Sequence, residues 1–265
     1  MVLEAVLFGI IQGVLEWIPV SSQGNVILVM ISLFGYTTEQ ALNYSIFLHT
    51  GTLMAALVYF RKDVARLFRS LGKYRFGYRN EENRLTSFLI FSTILTAVVG
   101  FPIYLLLRTT TFAGEVFIGI IGISLIATGL LQKKAKDKGR RKAGNVDQKD
   151  TLLTGILQGL SVIPGISRSG ITTSCLLIRK YDSQSALKLS FLMGIPAVLA
   201  AEIGLNLLGG IPELTTADMA VSVASAFVAG IISMHVIFGI AKRIKFWKFC
   251  VVLGIIALLP LLFYL

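Results

Sequence analysis

"IPGISRSGIT", residues 163–172, sets a proline, two glycines and an arginine inside a run that is otherwise apolar. Proline removes a backbone donor and clashes with the preceding turn, and adjacent glycine loosens the chain, so an unbroken helix is disfavoured here. An ionisable side chain in such a segment is costly unless it faces a cavity and is paired, which makes Arg168 a functional candidate. Working outward, residues 155–170 read "GILQGLSVIPGISRSG" and residues 9–24 read "GIIQGVLEWIPVSSQG". Gly9, Ile10, Gln12, Gly13, Ser21 and Gly24 recur 146 residues later as Gly155, Ile156, Gln158, Gly159, Ser167 and Gly170. A shared glycine, glutamine and serine frame at one constant offset indicates an internal duplication, with Pro19 and Pro164 one position out of register.

The 265-residue chain is 55% hydrophobic, and its mean hydropathy of +0.77 places it among polytopic membrane proteins. A bilayer crossing takes about 20 residues, and apolar runs near 42–60, 86–107, 114–131, 186–208, 217–240 and 249–265 predict six spans. A secretory signal would begin with positive charge, but the first basic residue is Arg61 and the N-terminal segment carries Glu4 and Glu16, so it reads as retained structure. Cys175 and Cys250 have no metal-ligand spacing and read as packing residues. A net charge of +11 would suit nucleic acid. The basic residues cluster instead in short loops between apolar runs, which the positive-inside rule explains with no nucleic-acid partner. Three clusters, at 61–84, at 133–149 with its "KKAKDKGRRK" run and at 242–248, are assigned to the cytoplasmic side.

The predicted fold is an all-α polytopic membrane protein forming a single integral membrane domain over 1–265. Repeat 1 covers about 1–132, a cytoplasmic linker about 133–150 and repeat 2 about 151–265. Each unit is a re-entrant helix hairpin, at 2–34 and 152–179, followed by three transmembrane helices. An odd number of crossings turns the second unit over, giving an inverted-topology repeat with its polar site where the broken segments meet. Non-helical backbone at that depth must be lined by protein or a water-filled cavity. The first hairpin then opens outward, the second inward, both termini lie outside, and the pocket opens to the outer face of the plasma membrane.

Gln12 and Glu16 share a helical face and are followed by Ser21, Ser22, Gln23, Gly24 and Asn25. The planar guanidinium of Arg168 suits a phosphate, and the glycines beside it let backbone N–H groups approach the same anion, more so if a helix starts there. In a phosphoryl-transfer site of this kind Ser22 attacks phosphorus, Glu16 accepts a proton or holds a divalent ion, and Arg168 neutralises the developing charge. Two plainer readings compete: Arg168 tied to Glu16 as a structural pair, and serine and glycine present for close packing. His49 is either a proton carrier or a hydrogen-bonded packing residue, and Glu202 and Asn206, four apart, are placed to line the same cavity. Tyr36, Tyr44, Trp247 and Tyr264 suit interfacial belts.

"QGVLEWIPVSSQGN" at 12–25 and "PGISRSGITTS" at 164–174 resemble the two motifs of the undecaprenyl-diphosphate phosphatases, also called bacitracin resistance proteins. The likeness extends over essentially the whole chain, including "GTLMAALVYFRKD" at 51–63. It implies an enzyme that hydrolyses undecaprenyl (polyprenyl) diphosphate to the monophosphate and phosphate, recycling the lipid carrier for cell-envelope glycan synthesis with Mg²⁺ or Ca²⁺. Carried over, Ser22, Glu16 and Arg168 are catalytic, with Glu16 also the metal ligand. Gln12, Ser21, Gln23, Gly24 and Asn25 on the first hairpin bind substrate, as do Gly165, Ser167, Ser169, Gly170 and Thr172 on the second. Two departures stand out: Gln12 where the family often has Glu, and Asn25 where many members have His, which leaves Glu16 or His49 to take a proton. The implied partners are the lipid substrate and membrane lipid, and a homodimer is compatible with this reading. The rival reading is a polyprenyl-phosphate flippase or transporter using the same pocket.

Overall fold

The structure, a computed structural model, describes residues 2–72, 74, 75, 77, 80–109, 114–135, 139–207, 212, 214–240 and 246–259. In chain order its helices are α1 (Val2–Leu15), α2 (Ser22–Phe34), α3 (Thr38–Tyr59), α4 (Arg61–Leu71), α5 (Glu81–Thr109) and α6 (Gly114–Lys134). A 3₁₀ turn at Ala143–Asn145 precedes α7 (Gln148–Leu160), α8 (Arg168–Ile178), α9 (Ser183–Leu207), α10 (Thr216–Ile240) and α11 (Phe246–Leu258). Among the described residues five helices, α3, α5, α6, α9 and α10, are long and apolar enough to cross a bilayer, and the protein is a multi-pass membrane protein. The sixth expected span, 249–265, begins as α11; its last six residues, Tyr264 included, lie outside the described residues, as does the side chain of Asn206.

Both interrupted segments fold as helix, short connection, helix. Breaks come where expected, at 16–21 and 161–167, because the following helices start at serine caps. The Ser21 hydroxyl accepts from Gly24 N–H at 3.3 Å and that of Ser167 from Gly170 N–H at 3.1 Å, equivalent bonds in the two repeats. The second hairpin begins four residues earlier than expected, because Asp147 and Asp150 form a capping box that starts α7 at Gln148. The stretch 61–71, expected only as a basic loop, is the amphipathic helix α4. Its Phe68 and Leu71 are exposed beside Arg and Lys, the pattern of a helix lying in a membrane interface.

Small residues let each hairpin's first helix press against a long span of the other half. A Cβ added at Gly13 would sit 2.6 Å from the Ala226 carbonyl on α10, and one at Gly159 would sit 2.6 Å from the Val99 Cβ on α5. Gly9 faces Ser222 and Gly155 faces Ser92 in the same way, so α1 runs parallel to α10 and α7 parallel to α5. Since α4 directly follows the end of α3 and its Ser70 bonds Thr86 near the start of α5, while Tyr44 at the start of α3 bonds Ser222 near the start of α10, the two long spans begin at opposite ends. The hairpins therefore enter from opposite ends, and their tips meet where Gly24 abuts Gly165, whose φ of +95° suits glycine.

The basic clusters gather at one end. Lys188 at the start of α9 pairs with Asp63 on α4 at 2.7 Å, and Lys133 lies 5.0 Å from the Trp247 ring centre. Residues 241–245 within the third cluster lie outside the described residues. At this end Asp150, fully buried, accepts from Arg141, Arg179 and Tyr181 at 2.7, 2.6 and 2.6 Å. That network fastens the linker to the open end of the second hairpin. For Asp147 beside it, burial alone would raise the pKa, but the Asp150 N–H and the Arg179 and Arg141 guanidiniums outweigh that and hold it below the usual carboxylate range. Cys175 and Cys250 are both buried free thiols, as expected of packing residues.

Candidate active site

Glu16 follows the last residue of α1, and its backbone N–H still reaches back to the Gln12 carbonyl at 2.9 Å, so the two side chains keep the shared face read from their spacing. Gln12 donates its amide to Glu16 Oε2 at 2.9 Å. The Ser22 hydroxyl, at the first position of α2, donates to the same oxygen at 2.6 Å. From α3, His49 places Nε2 3.3 Å from it, while its Nδ1 lies 2.8 Å from the Ser45 carbonyl. Because that carbonyl can only accept, Nδ1 carries the hydrogen and Nε2 is the nitrogen exposed to Glu16.

The other oxygen, Oε1, takes the Arg168 Nη2 at 2.5 Å, joining the tips of the two hairpins across 152 positions of sequence. Arg168 is the first residue of α8, and its remaining Nη1 has only a long contact, 3.4 Å, to the Ser190 carbonyl. It passes over Gly194 of α9, where a Cβ would collide with Nη1 and lie 2.6 Å from Cζ. The N-termini of α2 and α8 converge on this point, so the first backbone N–H groups of both helices and two positive helix-dipole ends face one place. The carboxylate and guanidinium side chains are only 5% and 13% exposed, a burial that strengthens electrostatic interactions with any anion placed there.

These groups line a cavity of about 230 Å³. Of the site residues expected from sequence, Glu16, Ser21, Ser22, Gln23, Ser167, Arg168 and Ser169 face it. Gln12, Gly24, Asn25, Gly165, Gly170 and Thr172 do not; they build its frame. Asn25 donates to the Val20 and Ser21 carbonyls, both at 2.8 Å, and so stabilises the turn in which Ser21 takes the left-handed φ of 60°. Thr172 bonds the Arg168 carbonyl and the Ser190 hydroxyl. The tip of the first hairpin is pinned from α6 and α11, where Gln132 and Cys250 donate to the Pro19 carbonyl. Both plainer readings are therefore partly correct: Arg168 is tied to Glu16, and the glycines pack closely.

Four contributors were weakly signalled or unsignalled in the sequence. His49, read as a proton carrier or a packing residue, and Glu202, expected with Asn206 to line the cavity, both face it. Thr96 and Gln158, the repeat counterpart of Gln12, bond each other at 3.1 Å on the opposite wall. The recurrence of Gln at one offset was the signal for Gln158; nothing local marked Thr96.

A sequence model of the bacitracin resistance protein BacA family matches residues 5–259. Among curated relatives, an undecaprenyl-diphosphatase of Methanococcoides burtonii is 42% identical over 97% of each chain. One from Haloarcula marismortui is 36% identical over 96% of this chain and 94% of the relative, and one from Methanothrix thermoacetophila is 39% identical over 97% and 95%. With matches that run nearly end to end and span both hairpins, the chain belongs to the bacitracin resistance protein family.

Proposed function

We propose that this protein is a membrane phosphatase that hydrolyses undecaprenyl diphosphate, or a related polyprenyl diphosphate, to the monophosphate and inorganic phosphate. The observation that carries this reading is the Ser22 hydroxyl aimed at the Glu16 carboxylate at 2.6 Å, with Arg168 on the other carboxylate oxygen. A hydroxyl nucleophile hydrogen-bonded to a base, beside a cation able to hold a phosphoryl group, is the minimal set for phosphoryl transfer. The undecaprenyl-diphosphatase relatives support the substrate class.

Ser22 Oγ attacks the terminal phosphorus as its proton passes to Glu16. The bond from that phosphorus to the bridging oxygen breaks, the bridging oxygen receives the proton, and the lipid monophosphate leaves. Water then attacks the phosphoserine, Glu16 takes its proton and returns one to Ser22 Oγ, and inorganic phosphate is released. Arg168 Nη1 and the N-terminal N–H groups of α2 and α8 bear the charge that builds on the equatorial oxygens. His49 Nε2 is the position through which Glu16 exchanges a proton.

The family resemblance implies Mg²⁺ or Ca²⁺. Among the described residues no cluster of three or more His, Cys, Asp or Glu could hold an ion unaided. The residue that would hold an ion from the cavity is Glu16, with phosphate oxygens of the substrate completing the set; Gln12 Oε1, buried behind it with no hydrogen-bond partner, would join only by turning toward the cavity. Magnesium commonly binds through one or two carboxylates and substrate phosphates in this way. When bound, the ion supplies further neutralisation of phosphate charge.

The inverted duplication, with the three basic clusters in the cytoplasm, orients the cavity toward the outer face. A homodimer is compatible with this reading. The test is phosphate release from undecaprenyl diphosphate by purified protein in detergent, with and without EDTA, alongside Ser22→Ala and Arg168→Ala. Release that requires metal, and falls by about 10³-fold or more in each variant, is expected. Absence of release with retained lipid binding would favour the flippase reading, under which Ser22→Ala leaves transport intact.

A further inference from the structure

The two hairpins are fastened differently at their open ends. At the repeat offset of 146 residues Asp150, the third residue of α7, corresponds to Glu4, the third residue of α1. Each accepts a hydrogen bond from a tyrosine just beyond the second helix of its hairpin, Tyr181 to Asp150 at 2.6 Å and Tyr36 to Glu4 at 3.1 Å. The surroundings then diverge. Arg141 and Arg179 pair with Asp150 and Asp147 at distances of 2.6 to 3.1 Å. The position equivalent to Arg179 is Leu33, and among the described residues no Lys, Arg or His is paired with Glu4. A second carboxylate joins it instead. Gly9 meets Ser222 and Gly13 meets Ala226 along the parallel α1 and α10, so the same register sets Ala5 beside Asp218 and Glu4 one position away. Asp218 is 3% exposed; its Oδ2 accepts from the Thr215 hydroxyl at 2.7 Å in the cap of α10, and its Oδ1 is buried with no hydrogen-bond partner. Tyr44 reaches the same corner, its hydroxyl 2.8 Å from Ser222 Oγ, which donates to the Asp218 carbonyl at 2.5 Å. Burial, the bond to Glu4 and the charges of Glu4 and Asp218 push the Tyr36 hydroxyl up to about 12, which sets both carboxylates around one phenol.

We infer that Glu4 and Asp218 form a divalent-cation site at the end of the molecule away from the basic clusters, where the ion does for the first hairpin what Arg141 and Arg179 do for the second. Two carboxylates drawn together out of water are costly without positive charge between them. Helix starts supply part of that charge, since α1, α3 and α10 begin here, but each dipole end acts as only about half a charge. The second hairpin has the equivalent starts of α7, α9 and α5 around it and still carries two arginines. Carboxylate oxygens suit calcium or magnesium rather than a softer metal. Among the described residues no third His, Cys, Asp or Glu joins the pair, so backbone oxygens and water complete the shell. The affinity expected of such a site is about 10⁻⁴–10⁻³ M, the range of extracellular calcium modules. Neither Glu4 nor Asp218 lines the cavity of Glu16 and Arg168, and the inference stands apart from the phosphatase reading.

The test uses the full chain in detergent, stripped with EDTA, with Glu16→Gln in every sample so that the cavity carboxylate cannot report. Calcium at about 10 mM is expected to raise the thermal midpoint by about 3 °C. Terbium, a calcium substitute excited through nearby tyrosine, is expected to luminesce beside Tyr36 and Tyr44 and to be displaced by calcium. Glu4→Gln and Asp218→Asn should each abolish both signals. Asparagine keeps an oxygen to cap α10, and Glu4 is only half-buried, so at least one of the two variants remains folded and decides the matter. No midpoint rise and no terbium signal in the parent would mean that the two carboxylates are held by a shared proton, and would overturn the site. Signals that survive in the folded variants would place the ion elsewhere and overturn it equally.

Discussion

Gly194→Ala offers a sharp test of the site, because two consequences of one methyl group oppose each other. In an ordinary helix interior, replacing glycine with alanine favours the helix by about 1 kcal/mol. Here the new Cβ would occupy the place of Arg168 Nη1 and come within 2.6 Å of Cζ, a separation that no flexible give in the buried backbone of α9 absorbs. Arg168 must therefore withdraw, and its contact to Glu16 at 2.5 Å lengthens or breaks. Separating a buried ion pair costs roughly 3–5 kcal/mol when a charge is left uncompensated, which outweighs the propensity gain and predicts a lower thermal midpoint. In catalysis, moving the guanidinium at the proposed phosphate site is equivalent to removing a transition-state donor, about 10²–10³ in kcat/KM. The decisive assay is a double-mutant cycle on phosphate release and thermal midpoint, with Arg168→Ala as the second variant. Once Arg168 is truncated, Gly194→Ala has nothing to displace and should leave residual turnover unchanged and raise the midpoint slightly. Wild-type kcat/KM in Gly194→Ala, or an equal further loss in the Arg168→Ala background, would refute the proposed contact.

Two further predictions concern the frame. Asp147 has a folded pKa below its unfolded value, so its share of stability is present above about pH 4 and is lost as pH falls through the lowered value. Asp147→Asn should lower the thermal midpoint at neutral pH, less so in high salt because Asp147 is partly exposed; a deficit that does not shrink as pH falls below about 4 would rule this out. Replacing Gly13 with leucine should force α1 off α10, where a Cβ already lies 2.6 Å from the Ala226 carbonyl, and lower the yield of folded protein. Gly159→Leu should do the same at the α7–α5 contact; a full yield in either case would mean that the close approach is not needed.

Local signals account well for what was legible. Proline, glycine and serine at 19–24 and 164–170 report backbone breaks and caps directly, so both hairpins and the first residues of α2 and α8 were readable. The repeat placed Gln12, Glu16, Ser22 and Arg168 in two segments that had to meet. The start of α7 was misplaced because the charged stretch 147–150 looks like loop, and only the partners Arg141, Arg179 and Tyr181 make a buried Asp150 tolerable. In α4, hydropathy alone did not distinguish a basic loop from an interfacial helix.

By itself, the sequence determined that this is a helical membrane protein with a duplicated, interrupted hairpin, and which ionisable residues it carries at membrane depth. Tertiary structure decided which residues outside the two hairpin tips join them. His49, 33 positions beyond Glu16, reaches it only because α3 crosses the first hairpin, and Gly194 matters only because Arg168 lies over it. The physical reason is one of range. Breaks, caps and hydropathy are properties of a few neighbouring residues, whereas the face that one helix shows another depends on how all the helices pack.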